Sequence, residues 1–125
     1  MVLLSVQLPT PQDPSSVLIQ LGAIVVGFSN KAPTKPSLFE VSGLRKLVDT
    51  IEGDIRDFRT LLGTINTHQP QYIFHLAAQP LVKESYESPL ETYESNILGT
   101  VNLLESVRVL DTEIVVINMT TDKCY

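Results

Sequence analysis

Near one end of the sequence, Thr120-Thr121-Asp122-Lys123 places two hydroxyls, a carboxylate and an ammonium in direct succession after an apolar run. Side chains of these types can do proton chemistry. A hydroxyl polarises a substrate alcohol, while an adjacent acid and base move protons between a substrate carbon and a leaving hydroxyl. Taken in isolation, the same residues also describe a polar loop with an ordinary Asp-Lys pair. Two other stretches have comparable character. Gly53-Asp54-Ile55-Arg56-Asp57 offers Asp54, whose carboxylate could accept a hydrogen bond from an adenine amino group. On spacing alone, a turn or helix-capping aspartate is the stronger reading of Asp54. Phe74-His75-Leu76-Ala77-Ala78-Gln79-Pro80 shrinks from bulky side chains to two alanines, which lets backbone approach a flat or sugar-like ligand, or equally lets a helix pack tightly. His75 reads as a buried, hydrogen-bonded core histidine and His68 as solvated. Cys124 reads as a small packed residue, since no base stands in a motif relation to it.

The elements that must position these residues follow from periodicity. Continuous apolar runs at Ile24 to Phe28, Tyr72 to Ala78 and Ile114 to Met119 predict strands buried on both faces, because such strands do not alternate. Thr50 to Asp54 is a weaker strand, and Val2 to Val6 a fifth. Between them lie helical patterns at Ser15 to Leu21, closed by Gly22, at Leu38 to Val48, and at Asp57 to Gln69, which stops before Pro70. The longest runs from Ser88 to about Leu110. Ser88 and Glu91 have capping-box spacing, and Pro89 occupies the first helical position. Leu90, Tyr93, Ile97, Val101 and Leu104 make one apolar stripe along that helix, expected as packing surface before partner surface. Gly99 interrupts it at a cost of roughly 1 kcal/mol relative to Ala, which predicts close packing or close approach of a ligand. Strands alternating with helices predict a doubly wound α/β parallel sheet, in which ligands bind beyond the carboxyl ends of the strands. All three reactive stretches fall there.

Composition narrows the partners. Nine basic against fourteen acidic residues in 125 leave a net charge of −5, and the longest basic cluster is Arg45-Lys46, so nucleic acid is not expected. A 43% hydrophobic content supports a buried core, no apolar run reaches the ~20 residues that span a bilayer, and no secretion signal opens the sequence. The expectation is a soluble cytoplasmic protein. One cysteine excludes an internal disulfide and a cysteine metal cluster within a chain, and no metal site is expected.

The three stretches occur together in an order that resembles the extended short-chain dehydrogenase/reductase family, and within it the sugar-nucleotide dehydratases acting on CDP-glucose. The resemblance covers about residues 17 to 125. It rests on Gly53-Asp54-Ile55-Arg56-Asp57, His75-Leu76-Ala77-Ala78-Gln79-Pro80-Leu81-Val82, Asn96-Ile97-Leu98-Gly99-Thr100-Val101-Asn102 and Thr120-Thr121-Asp122-Lys123-Cys124-Tyr125. It implies a Rossmann-like domain, NAD as cofactor with NADP as the alternative, and a nucleotide sugar such as CDP-glucose as substrate. The implied reaction removes a hydride from C4 of the hexose, eliminates water across C5 and C6, and returns the hydride at C6. Mapped onto this sequence, the resemblance gives Asp54 and Ile55 the adenine contact, and Leu76, Ala77 and Ala78 the strand end beside the nicotinamide ribose. Asn96 and Thr120 join the cofactor side, Asn96 by ordering the site. Gln79 and Ser85 belong to the substrate loop. Thr121 bonds the C4 oxygen, and Asp122 and Lys123 are the acid/base pair of the elimination. It also implies a homodimer formed through the 88–110 helix.

Two family elements are missing from these 125 residues. The Gly-x-x-Gly-x-x-Gly phosphate turn is replaced at its equivalent positions by Ser5, Leu8 and Pro11. Proline removes the N–H donors that phosphate needs. No Tyr-x-x-x-Lys follows Tyr125, which itself belongs to Lys-Cys-Tyr. Phe28-Ser29-Asn30-Lys31 lacks the acid that usually holds the adenosine ribose of NAD, and Lys31 would suit a 2′-phosphate. The expectation is therefore a chain cut short at both ends: the first five strands of the domain with an atypical first strand, no C-terminal substrate domain, and little or no activity of its own. The alternatives are a non-catalytic module that pairs subunits, or another sugar-nucleotide epimerase or decarboxylase.

Overall fold

The structure, a computed structural model, describes residues 1–5, 14–30, 48–79 and 82–120. Five parallel strands, β1 (Val2–Ser5), β2 (Val25–Ser29), β3 (Asp49–Glu52), β4 (Tyr72–His75) and β5 (Val115–Asn118), form one sheet in the order β3-β2-β1-β4-β5. The chain moves outward from β1 to β3 and then returns to place β4 on the other side of β1. The order therefore reverses between β1 and β4, and the crevice at their carboxyl ends is where such sheets hold ligands.

Both faces of the sheet are covered, which is why the strands read as unbroken apolar runs. Successive side chains point to opposite faces. Leu3, Val26, Phe28 and Ile73 join one core with Leu61, Ile65 and Leu103, whereas Val2 and Val25 join a second with Val48 and Leu18. The first core lies under α2 (Phe58–His68) and the long C-terminal helix, and the second under α1 (Ser15–Gln20). Full burial of Leu3, Phe28, Leu61, Ile65, Ile73 and Leu103 contributes about 1.5–3 kcal/mol per side chain.

Helix ends follow local chemistry. Gly22, at φ +81, closes α1 with its own N–H bonded to the Ile19 carbonyl and the next N–H, of Ala23, to the Leu18 carbonyl. The Asp57 carboxylate caps α2 by accepting the Arg59 and Thr60 N–H groups at 3.1 and 3.2 Å. His68 is half-buried rather than solvated, with Nδ1 bonded to the Thr64 carbonyl at 2.9 Å. The Leu38 to Val48 helix falls almost wholly outside the described residues.

The C-terminal helical segment departs most from expectation. A short helix not anticipated from sequence, α3 (Val82–Glu87), precedes it, followed by α4 (Pro89–Tyr93), one π turn at Glu94–Leu98, and α5 (Gly99–Leu110). The capping box does not form: the Ser88 N–H, which Glu91 would have accepted, already donates to the Glu84 carbonyl of α3 at 2.7 Å. The apolar stripe faces outward instead of packing, with Leu90 70%, Tyr93 62%, Ile97 56%, Val101 53% and Leu104 49% exposed. The helix packs through Gly99, Asn102, Leu103 and Ser106, a mostly small and polar face that a hydrophobic period does not reveal.

Gly99 is required by close packing. A Cβ built there would lie 2.6 Å from Ile55 Cγ2. Alanine would favour the helix by about 1 kcal/mol, but overpacking costs about 1–3 kcal/mol. Gly99→Ala is therefore expected to lower stability in urea by about 1 kcal/mol, and Ile55→Ala, itself destabilising as a core truncation, to cost less in the Gly99→Ala background than in the wild type. An increase in stability on Gly99→Ala alone would contradict this packing.

Candidate functional site

Parallel strands bring their carboxyl ends to one edge, so Asn30, Gly53 to Arg56, Leu76 to Gln79, and Met119 with Thr120 all lie along it. The link between the ends of β4 and β5 is direct, through Met119 N–H to the His75 carbonyl at 3.0 Å. Thr120 follows, exposed. Thr121, Asp122 and Lys123, like Lys31, Leu8, Pro11, Cys124 and Tyr125, lie outside the described residues.

At the end of β3 the chain turns sharply. Asp57 N–H bonds the Asp54 carbonyl at 2.9 Å, and the Asp54 carboxylate accepts Arg56 N–H at 2.9 Å. The turn role of Asp54 is thus realised, and its side chain does more. The Arg56 guanidinium grips both carboxylate oxygens, with Nε at 3.0 Å from each and Nη2 at 2.6 Å from Oδ2. This pairing, opposed in part by burial, holds Asp54 below the usual carboxylate range. Ile55 points the other way, into the core against Gly99.

At the end of β4, Leu76, Ala77, Ala78 and Gln79 are all half-buried. Asn96, in the π turn, holds this segment at two points: its Oδ1 accepts Gln79 N–H at 2.6 Å and its Nδ2 donates to the Gln79 carbonyl at 3.4 Å. A π turn commonly marks a place where a helix presents side chains for a function, and here it presents Asn96 to the end of a strand. Ser85 stands apart, its hydroxyl bonded within α3 to the Val82 carbonyl at 2.7 Å.

Three contributors were not singled out from sequence. Thr100 donates its hydroxyl to the Asn96 carbonyl at 2.8 Å, so its oxygen is left to accept from His75 Nε2 at 2.9 Å. That order fixes the proton of His75 on Nε2 and leaves Nδ1, buried, as an acceptor with no partner among the described residues. Asn102 donates to the carbonyls of Ile55 and Arg56 at 3.1 and 2.9 Å. Arg56 is the third. The spacing of Asn96, Thr100 and Asn102 along one helix was the available signal, masked by the stronger apolar stripe.

A parallel sheet with this strand order, helices on both faces, and an aspartate and a small-residue segment at the carboxyl ends of β3 and β4 define a Rossmann-type domain. The sequence profile of a family described as GDP-mannose 4,6 dehydratase matches residues 15–125. The chain is 51% identical over 108 residues to CDP-glucose 4,6-dehydratase of Salmonella typhimurium, covering 86% of this chain and 30% of that protein. Among solved structures it resembles UDP-glucose 4-epimerase from Brucella ovis in complex with NAD, with TM-score 0.77 and 29% identity over 94% of this chain and 34% of that one. The UDP-glucose 4-epimerase of Thermotoga maritima with UDP-glucose gives TM-score 0.78 and 27% identity over 97% and 38%. The chain belongs to the GDP-mannose 4,6-dehydratase family, within the extended short-chain dehydrogenases/reductases. It spans 30% of the length of the Salmonella relative, 34% of the Brucella one and 38% of the Thermotoga one.

Burial holds His75 below its ordinary imidazole range. The folded protein thus keeps His75 neutral where the unfolded chain, with a value near 6.5, takes up a proton. The unfolded state binds more protons as pH falls, so this part of the stability is complete above pH 6.5 and is lost below it. The urea midpoint is expected to fall between pH 7.5 and 5.5, well above the window in which Asp54 titrates, and His75→Gln to flatten that fall. A midpoint independent of pH across this interval would contradict the buried neutral imidazole.

Proposed function

We propose that this chain supplies part of the cofactor-binding domain of an NAD-dependent sugar-nucleotide 4,6-dehydratase whose substrate is CDP-glucose. The observation that carries this reading is the 51% identity to CDP-glucose 4,6-dehydratase across 86% of the chain, against 40% over 54% of it for a UDP-glucose 4-epimerase. The described residues fit a nicotinamide dinucleotide at two strand ends. Asp54, ionised and about one-third exposed, suits the amino group of adenine. Leu76, Ala77 and Ala78, without bulk beyond the leucine, suit the ribose next to the nicotinamide, and the Asn96 clamp keeps that segment in place. When bound, the dinucleotide supplies a hydride acceptor that is regenerated within each turnover. Thr121 holds the C4 oxygen of the hexose, and Asp122 and Lys123 transfer protons as the C6 hydroxyl leaves as water and the C5 proton is removed. Gln79 and Ser85 are assigned to the substrate loop.

A second reading, a subunit-pairing module without catalysis, is favoured by the outward stripe of Leu90, Tyr93, Ile97, Val101 and Leu104. Contiguous exposed apolar surface of this kind marks a contact site. The two readings share a homodimer through the Pro89–Leu110 segment and differ in whether ligands bind.

Calorimetry with NAD, followed by CDP-glucose, UDP-glucose and GDP-mannose in the presence of NAD, separates them. Under the first reading NAD binds and CDP-glucose binds at least about tenfold more tightly than the other two sugars, a difference of ~1.4 kcal/mol. Absence of any nucleotide binding, in a dimer that Val101→Lys dissociates, is the result of the second reading and would overturn the first.

A further inference from the structure

We propose that Arg56 is a positioning residue for adenine recognition: its guanidinium fork fixes the one orientation of Asp54 in which a carboxylate oxygen can receive the adenine amino group. The proposal rests on the dinucleotide reading above. Four features of the turn argue for it. Arg56 commits its backbone N–H, Nε and Nη2 to Asp54, at 2.6–3.0 Å, which is the bidentate geometry that fixes a carboxylate plane as well as its charge. The remaining nitrogen, Nη1, faces Glu91 at 3.7 Å and Glu94 at 3.6 Å, both substantially exposed. Ion pairs at such distances and exposures add little to stability. Attachment of the turn to α5 is carried instead by Asn102, bonded to the Ile55 and Arg56 carbonyls, and by Ile55 packed on Gly99. Arg56 therefore orients Asp54 without being what holds the turn to the fold.

The lone pairs of Asp54 can be followed one by one. A carboxylate accepts about four hydrogen bonds. Arg56 fills about three of these positions, counting the shared Nε once, and leaves about one. That position is the one an incoming amino group would take, while Arg56 stays and keeps the acceptor aimed. Without Arg56 the carboxylate can rotate and its acceptor direction is no longer defined.

The test compares two probes by calorimetry: NAD, and its analogue with hypoxanthine in place of adenine, which has a carbonyl where adenine has the amino group. The wild-type protein is expected to bind NAD about tenfold more tightly than the analogue, as for one hydrogen bond to a charged acceptor. Arg56→Ala is expected to weaken NAD binding by about that factor and to leave the analogue nearly unchanged, so that the ratio approaches one. Arg56→Lys, with a point charge but no fork, should retain only part of the ratio. Urea midpoints close to wild type identify folded variants. Equal losses for both probes would show a merely structural role and overturn the proposal, as would a wild-type ratio in both variants. If the wild-type protein binds both probes equally, or neither, the adenine contact of Asp54 itself is wrong and the proposal falls with it.

Discussion

Asn102 donates to two carbonyls at the end of β3, and six residues earlier Asn96 bonds both backbone groups of Gln79 after β4. Strand ends have backbone donors and acceptors that the sheet no longer satisfies, and half-buried ones must find partners elsewhere. Here one helical segment supplies them to two strands on opposite sides of β1 and β2's pairing. The π turn, the glycine at its junction with α5 and the Thr100–His75 contact all serve that arrangement. Gly99 lets the helix come close enough to Ile55 for Asn102 to reach, and Thr100 links Asn96 to the buried imidazole of His75.

The same constraint accounts for the orientation of the helix. With Gly99, Asn102, Leu103 and Ser106 set against the domain, the opposite side of the helix is left to Leu90, Tyr93, Ile97, Val101 and Leu104, which are turned outward. An exposed stripe then follows from the demands of the carboxyl edge and becomes available for a partner. Packing by small residues gives close approach, and the polar members pair within or across the contact, as Ser106 does with the Asn102 carbonyl at 2.8 Å.

Much of the fold could be read from the sequence because its signals are local. Apolar runs marked β2, β4 and β5, and position between helical segments marked β3, each to within three residues at either end, while Gly22, Asp57 and Pro70 marked helix ends through local chemistry that needs no tertiary knowledge. Gly99 was legible as a point of close approach for the same reason. The long helix was misread where long-range contacts prevailed over local pattern. The Ser88 N–H had been taken by Glu84, and the apolar period pointed outward because the opposite face was selected by hydrogen bonds to residues more than forty positions away. Arg56 had no periodic signal at all, since what it does depends on which residues the turn brings to it. Asp54 shows both situations in one side chain: its turn was foreseeable from spacing, its guanidinium partner was not.

The central claim is that the carboxyl edge, from Asp54 to Gln79, is the dinucleotide site and that one helical segment organises it. Titration of NAD into the isotope-labelled protein, followed by amide resonances, tests it most directly. The account predicts shifts concentrated at Gly53 to Arg56, at Leu76 to Gln79 and at Asn96, with Gln71 and Glu113 at the opposite edge unmoved. Shifts confined to that opposite edge, or none at saturating NAD, would contradict it.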